Sequence, residues 1–438
     1  MIRSMKRPLI TTFSALLLFA CGTNSPAYAT DQCMECHEEM AADHAVSVHT
    51  DIGCLECHAQ AEKEDHEQLV FSPVDCRQCH ALHDEKILHD AHTRVSCNAC
   101  HIKGGIPGRN PESGNIIFSG TFASGMALPS HQAIASGRDH QCENCHFKGN
   151  AVGAASMVLP PKSILCMPCH VATFSMSDKT TLVSLFIFIL GMAGLCMVWF
   201  SGSLNTQAYP PIKKRKRNLR LKPGPLFSDK FFQLLKIVFL EVIFLQRFFK
   251  LSRVRWMIHA LIFFPFLFRF FFGLTALLLS IFLPDGFITS AMLDKNHALR
   301  ALFFDVTGLM ILTGSLLFIV RKKKETNETI TSLPEPGPGM PMMIGLIVGV
   351  GFILEGLRIA MTGWVDGAGW APLGYGISLL FKGMTGLTDI YGYVWYVHAI
   401  LTGVFIALVP FTRMAHIITA PLVLILNARA RKKENFQK

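Results

Sequence analysis

Five long apolar runs dominate the second half of the chain, at residues 181–201, 256–283, 299–320, 340–361 and 389–412. Each reaches the roughly 20 residues that a helix needs to cross a bilayer, so the pattern predicts five transmembrane helices. A further run at 231–249 is interrupted by Lys236, Glu241 and Gln246. It reads as an amphipathic helix lying on a membrane face, and not as a sixth crossing. The stretch ahead of about Lys179 has no such runs: it is polar, rich in Cys and His, and predicts short helices and loops with little β-structure. At the N-terminus Arg3, Lys6 and Arg7 precede the short apolar core Leu9 to Ala20 and the small-residue site Ala27-Tyr28-Ala29. That order is the layout of a secretory leader. Cys21 also loosely resembles a lipoprotein box.

Charge orients the predicted spans. Lys213 to Arg217, Arg321 to Lys324 and the tail from Arg429 to Lys433 all fall on one side if there are five crossings. The positive-inside rule makes that side the cytoplasm and puts residues 30–178 outside. Residues 30–178 carry 9 Lys/Arg against 19 Asp/Glu, whereas residues 179–438 carry 29 against 12. The overall charge of +10 is therefore explained by membrane topology, and nucleic-acid binding has no support. The expected domains are a leader at 1–29, an exported domain at 30–178 and a five-span membrane domain at 179–438. The expected location is a bacterial inner membrane, with the first domain in the periplasm.

The exported domain repeats Cys-x-x-Cys-His six times: Cys33-Cys36-His37, Cys54-Cys57-His58, Cys76-Cys79-His80, Cys97-Cys100-His101, Cys142-Cys145-His146 and Cys166-Cys169-His170. The pattern reads as c-type haem attachment: two thiols bond the porphyrin, and the adjacent His ligates iron. Zinc sites or redox dithiols use Cys pairs too, but do not demand a His after every second Cys. Twelve of the 14 cysteines lie in these motifs, leaving Cys21 and Cys196. The first motifs recur at steps of 21 or 22 residues, and Cys33 to His58 realigns on Cys76 to His101 with a shift of 43. That shift places His49 on His92, which marks these two as sixth-ligand candidates among His44, His49, His66, His83, His89, His92, His131 and His140. With about 23 residues per motif, an ordinary apolar core cannot form, so six haems c are expected to serve as the core. The interval Lys103 to Arg138 reads as a longer loop or insertion. The spacing resembles small multihaem cytochromes of the c3 and c7 kind.

Four histidines remain, His259, His297, His398 and His416, and a histidine inside a membrane span is costly and usually functional. His398 and His416 are 18 residues apart, which on a continuous helix is five turns on one face and roughly 27 Å of rise. Depth pairs His259 with His416 near the cytoplasmic side, and the set as a whole suits one or two haems b.

The stretch from Val397-His398 through Ala407-Leu408-Val409-Pro410-Phe411-Thr412-Arg413-Met414-Ala415-His416 resembles the last transmembrane helix of respiratory nitrate reductase gamma subunits. Cytochrome b subunits of heterodisulfide-reductase-like complexes look similar, including Glu355-Gly356-Leu357-Arg358. The resemblance covers roughly residues 180–430. It implies five spans, b-haems and electron exchange between a quinone pool and a partner. The family pattern puts a second ligand ten residues after His259, where this chain has Arg269. Arg269 is then a snorkelling side chain or a contact to a haem propionate or quinone. His297 is the missing outer ligand or an ordinary loop histidine.

Together these readings describe an all-α protein, with a haem-packed, loop-rich multihaem c domain followed by a five-helix transmembrane bundle. Its expected role is electron transfer between menaquinone or another quinone and a periplasmic cytochrome or reductase, through b-haem and the six c-haems, as a quinol or quinone oxidoreductase. Two alternatives are a terminal reductase of a small oxyanion at a five-coordinate c-haem, and the membrane subunit of a larger complex with a cytoplasmic iron–sulfur partner.

Overall fold

The computed structural model describes residues 33–58, 74–80, 92–103, 107–118, 132–133, 140–201, 235–325 and 338–423, apart from 36, 75, 111, 112, 177, 237 and 285. The expected leader, Cys21, Cys36, His66, His83, His89, His131, the run Lys213 to Arg217 and the tail from Arg429 lie outside the described residues. The chain divides into two compact units, which do not follow the composition break near Lys179. One comprises residues 1–81, 97–106 and 118–141, and the other residues 82–96, 107–117 and 142–438. The first unit therefore holds motifs one to four, while motifs five and six belong with the membrane helices.

The first unit is built of short helical pieces, among them Glu38–Ala45, Cys54–Cys57 and Cys97–His101. Ser47 ties two of its segments together, its Oγ accepting from the His49 and Ala133 amides at 3.1 and 3.2 Å. Among the described residues of this unit, only Ala99 and Ala133 are buried apolar side chains. Met34, Val46, Val48, Ile52 and Val74 are exposed. The described residues alone supply almost no core here.

Among its described residues the second unit contains five helices long and apolar enough to cross a membrane, as a multi-pass membrane protein requires. They are Lys179–Ser201, Arg253–Phe282, Ala298–Glu325, Gly339–Met361 and Leu387–Leu408, called the first to fifth spans below. The second packs on the third, the third on the fourth, the fourth on the fifth, and the first on the fifth. Large apolar side chains such as Phe186, Ile189, Phe271 and Leu316 point outward, the arrangement expected when the solvent is lipid. Within the bundle, Ile311, Ile344, Val348 and Phe352 form the central cluster. The third span closes on Lys322, Lys323 and Lys324, where cations complement the helix dipole. That end is the basic end.

Two helices depart from the hydrophobic pattern. The fifth was expected to run on through His416, but it ends at Leu408, and two 3₁₀ turns follow, Val409–Phe411 and Arg413–Ala415. Pro410 is the cause, because a proline in a helix interior loses a donor and strikes the carbonyl one turn earlier. Thr412 then caps the next turn, its Oγ1 accepting from the Met414 amide at 3.3 Å. The run at 231–249 is likewise not one amphipathic helix. Its described part is a π-helical turn, Val238–Ile243, and a short helix, Gln246–Leu251, separated by Leu245 at φ 52°. It folds back on the second span, with Trp256 Nε1 donating to the Phe244 carbonyl at 3.0 Å.

The end opposite the basic end is covered by chain that precedes the first span. Met167 and Ala172 pack with Leu277, and Val171 with Ala276 and Leu293, so the sixth motif is built into the apolar core of the bundle. Gly273 permits this approach: a Cβ there would stand 2.7 Å from the His170 carbonyl oxygen. The interval predicted as a loop or insertion contains a small two-stranded sheet, Pro107–Arg109 with Ile116–Phe118. Arg109 secures its turn by donating to the Gly114 carbonyl at 3.0 Å, and also bonds the Val152 carbonyl.

Candidate functional site

The Cys-x-x-Cys-His motifs share one local structure. The His amide donates to the carbonyl of the first Cys at 2.9 Å for His37, His58 and His146, 3.0 Å for His80 and 2.8 Å for His170, and the fourth motif lies within Cys97–His101. One helical turn thus brings both thiols and the imidazole of each fully described motif to the same side of the chain. No disulfide joins any of the described cysteines.

The 43-residue repeat is visible in the structure. The His49 carbonyl accepts from Ile52 at 2.9 Å and the His92 carbonyl from Val95 at 3.0 Å, the same turn at equivalent positions. Burial and the neighbouring Cys54 thiol raise the pKa of Cys33, and burial and Cys97 raise that of Cys76. These two thiol pairs are again related by the repeat. The structure also gives His49 a companion: its ring centre is 5.6 Å from that of His80, the third motif's histidine.

In the second unit, four histidines form two pairs. Near the basic end, His259 of the second span and His416, just past the break at Pro410, have ring centres 6.1 Å apart with planes at 59°. Phe248 and Phe263 flank His259 at 5.7 and 5.6 Å. The His416 Nδ1 lies 2.7 Å from the Arg413 carbonyl, which leaves Nε2 to face a ligand. The buried Nδ1 of His259 has no hydrogen-bond partner, and a buried polar atom in that state calls for one.

At the opposite end, His398 of the fifth span pairs with His170 of the sixth motif. Their ring centres are also 6.1 Å apart, with planes at 65°. Both rings, with Cys166 and Cys169, line one cavity, together with Arg269, Phe304, Phe352, Glu355, Arg358 and Trp395. Phe304 stacks on His170 at 6.4 Å and 18°. Burial pushes the Cys169 thiol up to about 11 and, ahead of the charges of Lys162, His398, Arg269 and Lys295, drives His170 well below its ordinary range. Both are therefore uncharged at neutral pH, and a neutral imidazole is the form that ligates a metal. The buried Nδ1 of His398, like that of His259, lacks a partner.

Arg269, expected either to snorkel or to touch a cofactor, is buried within the bundle. Its Nε donates to Thr307 Oγ1 at 2.8 Å, its Nη2 to the Phe304 carbonyl, and its guanidinium lies 5.0 Å over the Phe304 ring. It faces the cavity, and does not reach for an interface. His297 opens the third span, its carbonyl accepting from Ala301 at 2.9 Å, and is not among the residues lining the cavity beside His398. The Glu355–Arg358 motif forms an ion pair at 2.6 Å, with Arg358 also donating to Asn296 Oδ1 at 3.0 Å.

Reading the sequence missed the His170–His398 juxtaposition and the buried Asp305, which accepts from the Leu373 and Gly374 amides at 2.8 and 3.1 Å. A signal for the first was present: His170 precedes Lys179, the start of the first span, by only nine residues, so the sixth motif cannot stand far from the membrane. Among the described residues, no three His, Cys, Asp or Glu side chains converge on a site for a bare metal ion. The arrangement is instead one of imidazole pairs, His259 with His416 and His170 with His398. No family model, no curated protein and no solved structure matches the chain.

Proposed function

We propose that this protein is a membrane-bound electron-transfer cytochrome that connects a quinone pool, through haem b, to six periplasmic c-type haems. The observation that carries the reading is the His259–His416 pair, 6.1 Å apart, in a chain with six Cys-x-x-Cys-His turns. Two imidazoles at that spacing, one with its Nε2 left open, would be able to ligate one haem iron. The residues present therefore fit a haem held between the second span and the segment beyond the fifth.

In each c motif the two thiols would hold a haem covalently, and the histidine that follows would ligate its iron. Among its described residues the first unit buries almost no apolar side chains, which supports haem as its filling. Bound haem supplies one-electron transfer, a step that side chains cannot perform. The residues hold and tune it: His416 is fixed by the Arg413 carbonyl, as second-shell bonds usually orient ligating imidazoles, and the phenyl rings around His259 exclude water. A quinone in the membrane is the substrate, and a periplasmic cytochrome or reductase the partner. A cytoplasmic iron–sulfur subunit on the basic end would make the same chain part of a larger complex. The resemblance of the last helix to nitrate reductase gamma subunits points the same way.

Pyridine haemochrome analysis of the purified chain tests this directly. Covalent haem c and at least one haem b per chain are expected, and His259→Ala and His416→Ala should each remove the same haem b. Absence of haem b from the unaltered protein would defeat the reading.

A further inference from the structure

Beyond residue 178 the chain has four histidines, His259, His297, His398 and His416. With His259 and His416 paired, His398 has no second imidazole from the spans themselves, and His297 does not line its cavity. What stands 6.1 Å from it is His170, the same spacing as in the inner pair. We propose that His170 and His398 ligate one iron, so that the sixth c-type haem, tethered through Cys166 and Cys169, is itself the outer haem of the membrane bundle. The inference rests on the cytochrome reading above and deepens it: the chain carries six haems c and a single haem b.

Four features of the cavity support the assignment. Cys166 and Cys169 line it together with both imidazoles, so the attachment points and the two ligands face one space. Gly351 of the fourth span also lines it, so the wall beside the far ligand is small: even a Cβ there would only touch His398 Cε1, at 3.4 Å. The Nδ1 of His398 is buried without a hydrogen-bond partner, so this nitrogen is open to a ligand while the ring also bonds the Ile347 backbone. Finally, Lys162, Arg269 and Lys295 face the cavity, and a haem brings two propionates that need cations once removed from water. All of these groups belong to one compact unit. The consequence is functional. The place where a second haem b would sit is occupied by a covalently attached haem, and electrons enter or leave the c-type series inside the bundle.

The test uses the full chain purified from membranes and reads haem content and spin state. The unaltered protein should give six haems c to one haem b, all low-spin. His398→Ala should keep both counts but convert one c-haem to a high-spin, carbon-monoxide-binding form. Cys166→Ala with Cys169→Ala should lower haem c from six to five and raise haem b from one to two, because the imidazole pair still holds the porphyrin. His398→Met guards against misfolding: it should leave all counts unchanged and raise the potential of one c-haem, as a Met ligand does. A second haem b in the unaltered protein, or loss of a haem b in His398→Ala with every c-haem still low-spin, would overturn the proposal. Absence of haem b throughout would instead bring down the function proposed above, and the high-spin c-haem of His398→Ala would still decide the pairing.

Discussion

The second and sixth motifs, Cys54 to His58 and Cys166 to His170, make the same turn, with the His amide on the first Cys carbonyl at 2.9 and 2.8 Å. Their surroundings differ completely. The unit around the first four motifs buries only two alanines among its described apolar residues, whereas Met167, Val171 and Ala172 beside the sixth are 5%, 3% and 1% exposed and pack on span two through Leu277 and Ala276 and on Leu293 in the connection that follows it. Five residues suffice to encode the turn, because it needs one backbone hydrogen bond and two thiols a turn apart. Stability has to come from elsewhere. In the first unit the proposed haems would have to provide the apolar surface, whereas in the second the membrane helices already do.

The strongest test of that contrast is to withhold covalent haem, by expressing the chain in a host without the thioether-forming machinery. A unit whose folding depends on its cofactor loses the whole of its stability with it, on the order of 5–15 kcal/mol for a domain. Limited proteolysis should then cut freely within residues 33–58 and 97–103 while the five spans and the segment around Val171 stay protected. Protection of the first unit without haem would break the comparison, since it would show a core that the protein makes unaided.

What could be read from the sequence divides along the same line. The five spans were legible because a bilayer imposes both length and apolarity, and every helix boundary falls within a few residues of the hydrophobic run. The His259–His416 pair was legible because both lie near one end of antiparallel spans. Two things were not. The hydrophobic pattern at 389–412 hides the break at Pro410, since local chain stiffness is invisible to hydropathy. The partner of His398 was sought among the membrane histidines, yet the imidazole beside it is that of His170, more than two hundred positions away. Composition drew the domain boundary at about Lys179, but packing places the sixth motif with the spans, and only tertiary contact reveals that.

A smaller effect probes how the bundle tunes what it holds. Arg269 is buried in the cavity wall beside His170 and His398, and a fixed positive charge there favours the reduced, less positive state of a neighbouring haem. Arg269→Gln keeps a donor for Thr307 but removes the charge. The potential of one c-haem should fall by some tens of millivolts, equivalent to about 1–2 kcal/mol at an effective dielectric constant near 20. Arg269→Lys should restore most of it. If Arg269 serves packing alone, potentiometric titration will find both variants unshifted while their thermal stability drops. The c-haems of the first unit should not respond to either change.

The smallest expected effect concerns the tie between exported chain and membrane helices within the second unit. Arg94 bonds Asp294 at 2.8 Å and the Ser113 carbonyl at 2.9 Å, joining the segment before the fourth motif to the loop between spans two and three. Burial alone would raise the Asp294 pKa, but the Arg94 hydrogen bond, the Asn296 amide and the charges of Arg94 and Arg300 outweigh it and hold the carboxyl below its ordinary value. A depressed folded pKa means stability that is present above the unfolded value, about 3.9, and is lost as pH falls through the folded one. Both side chains keep some exposure, 26% and 21%, so the contribution is at most about 1 kcal/mol. Asp294→Asn should therefore leave haem content intact and slightly raise protease cleavage near residues 92–96 at pH 7. The difference from the unaltered chain should shrink as the pH drops below 4, where the native carboxyl is itself becoming neutral. Equal cleavage at pH 7 would show that the segment is held by the sheet at 107–118 and its contacts alone.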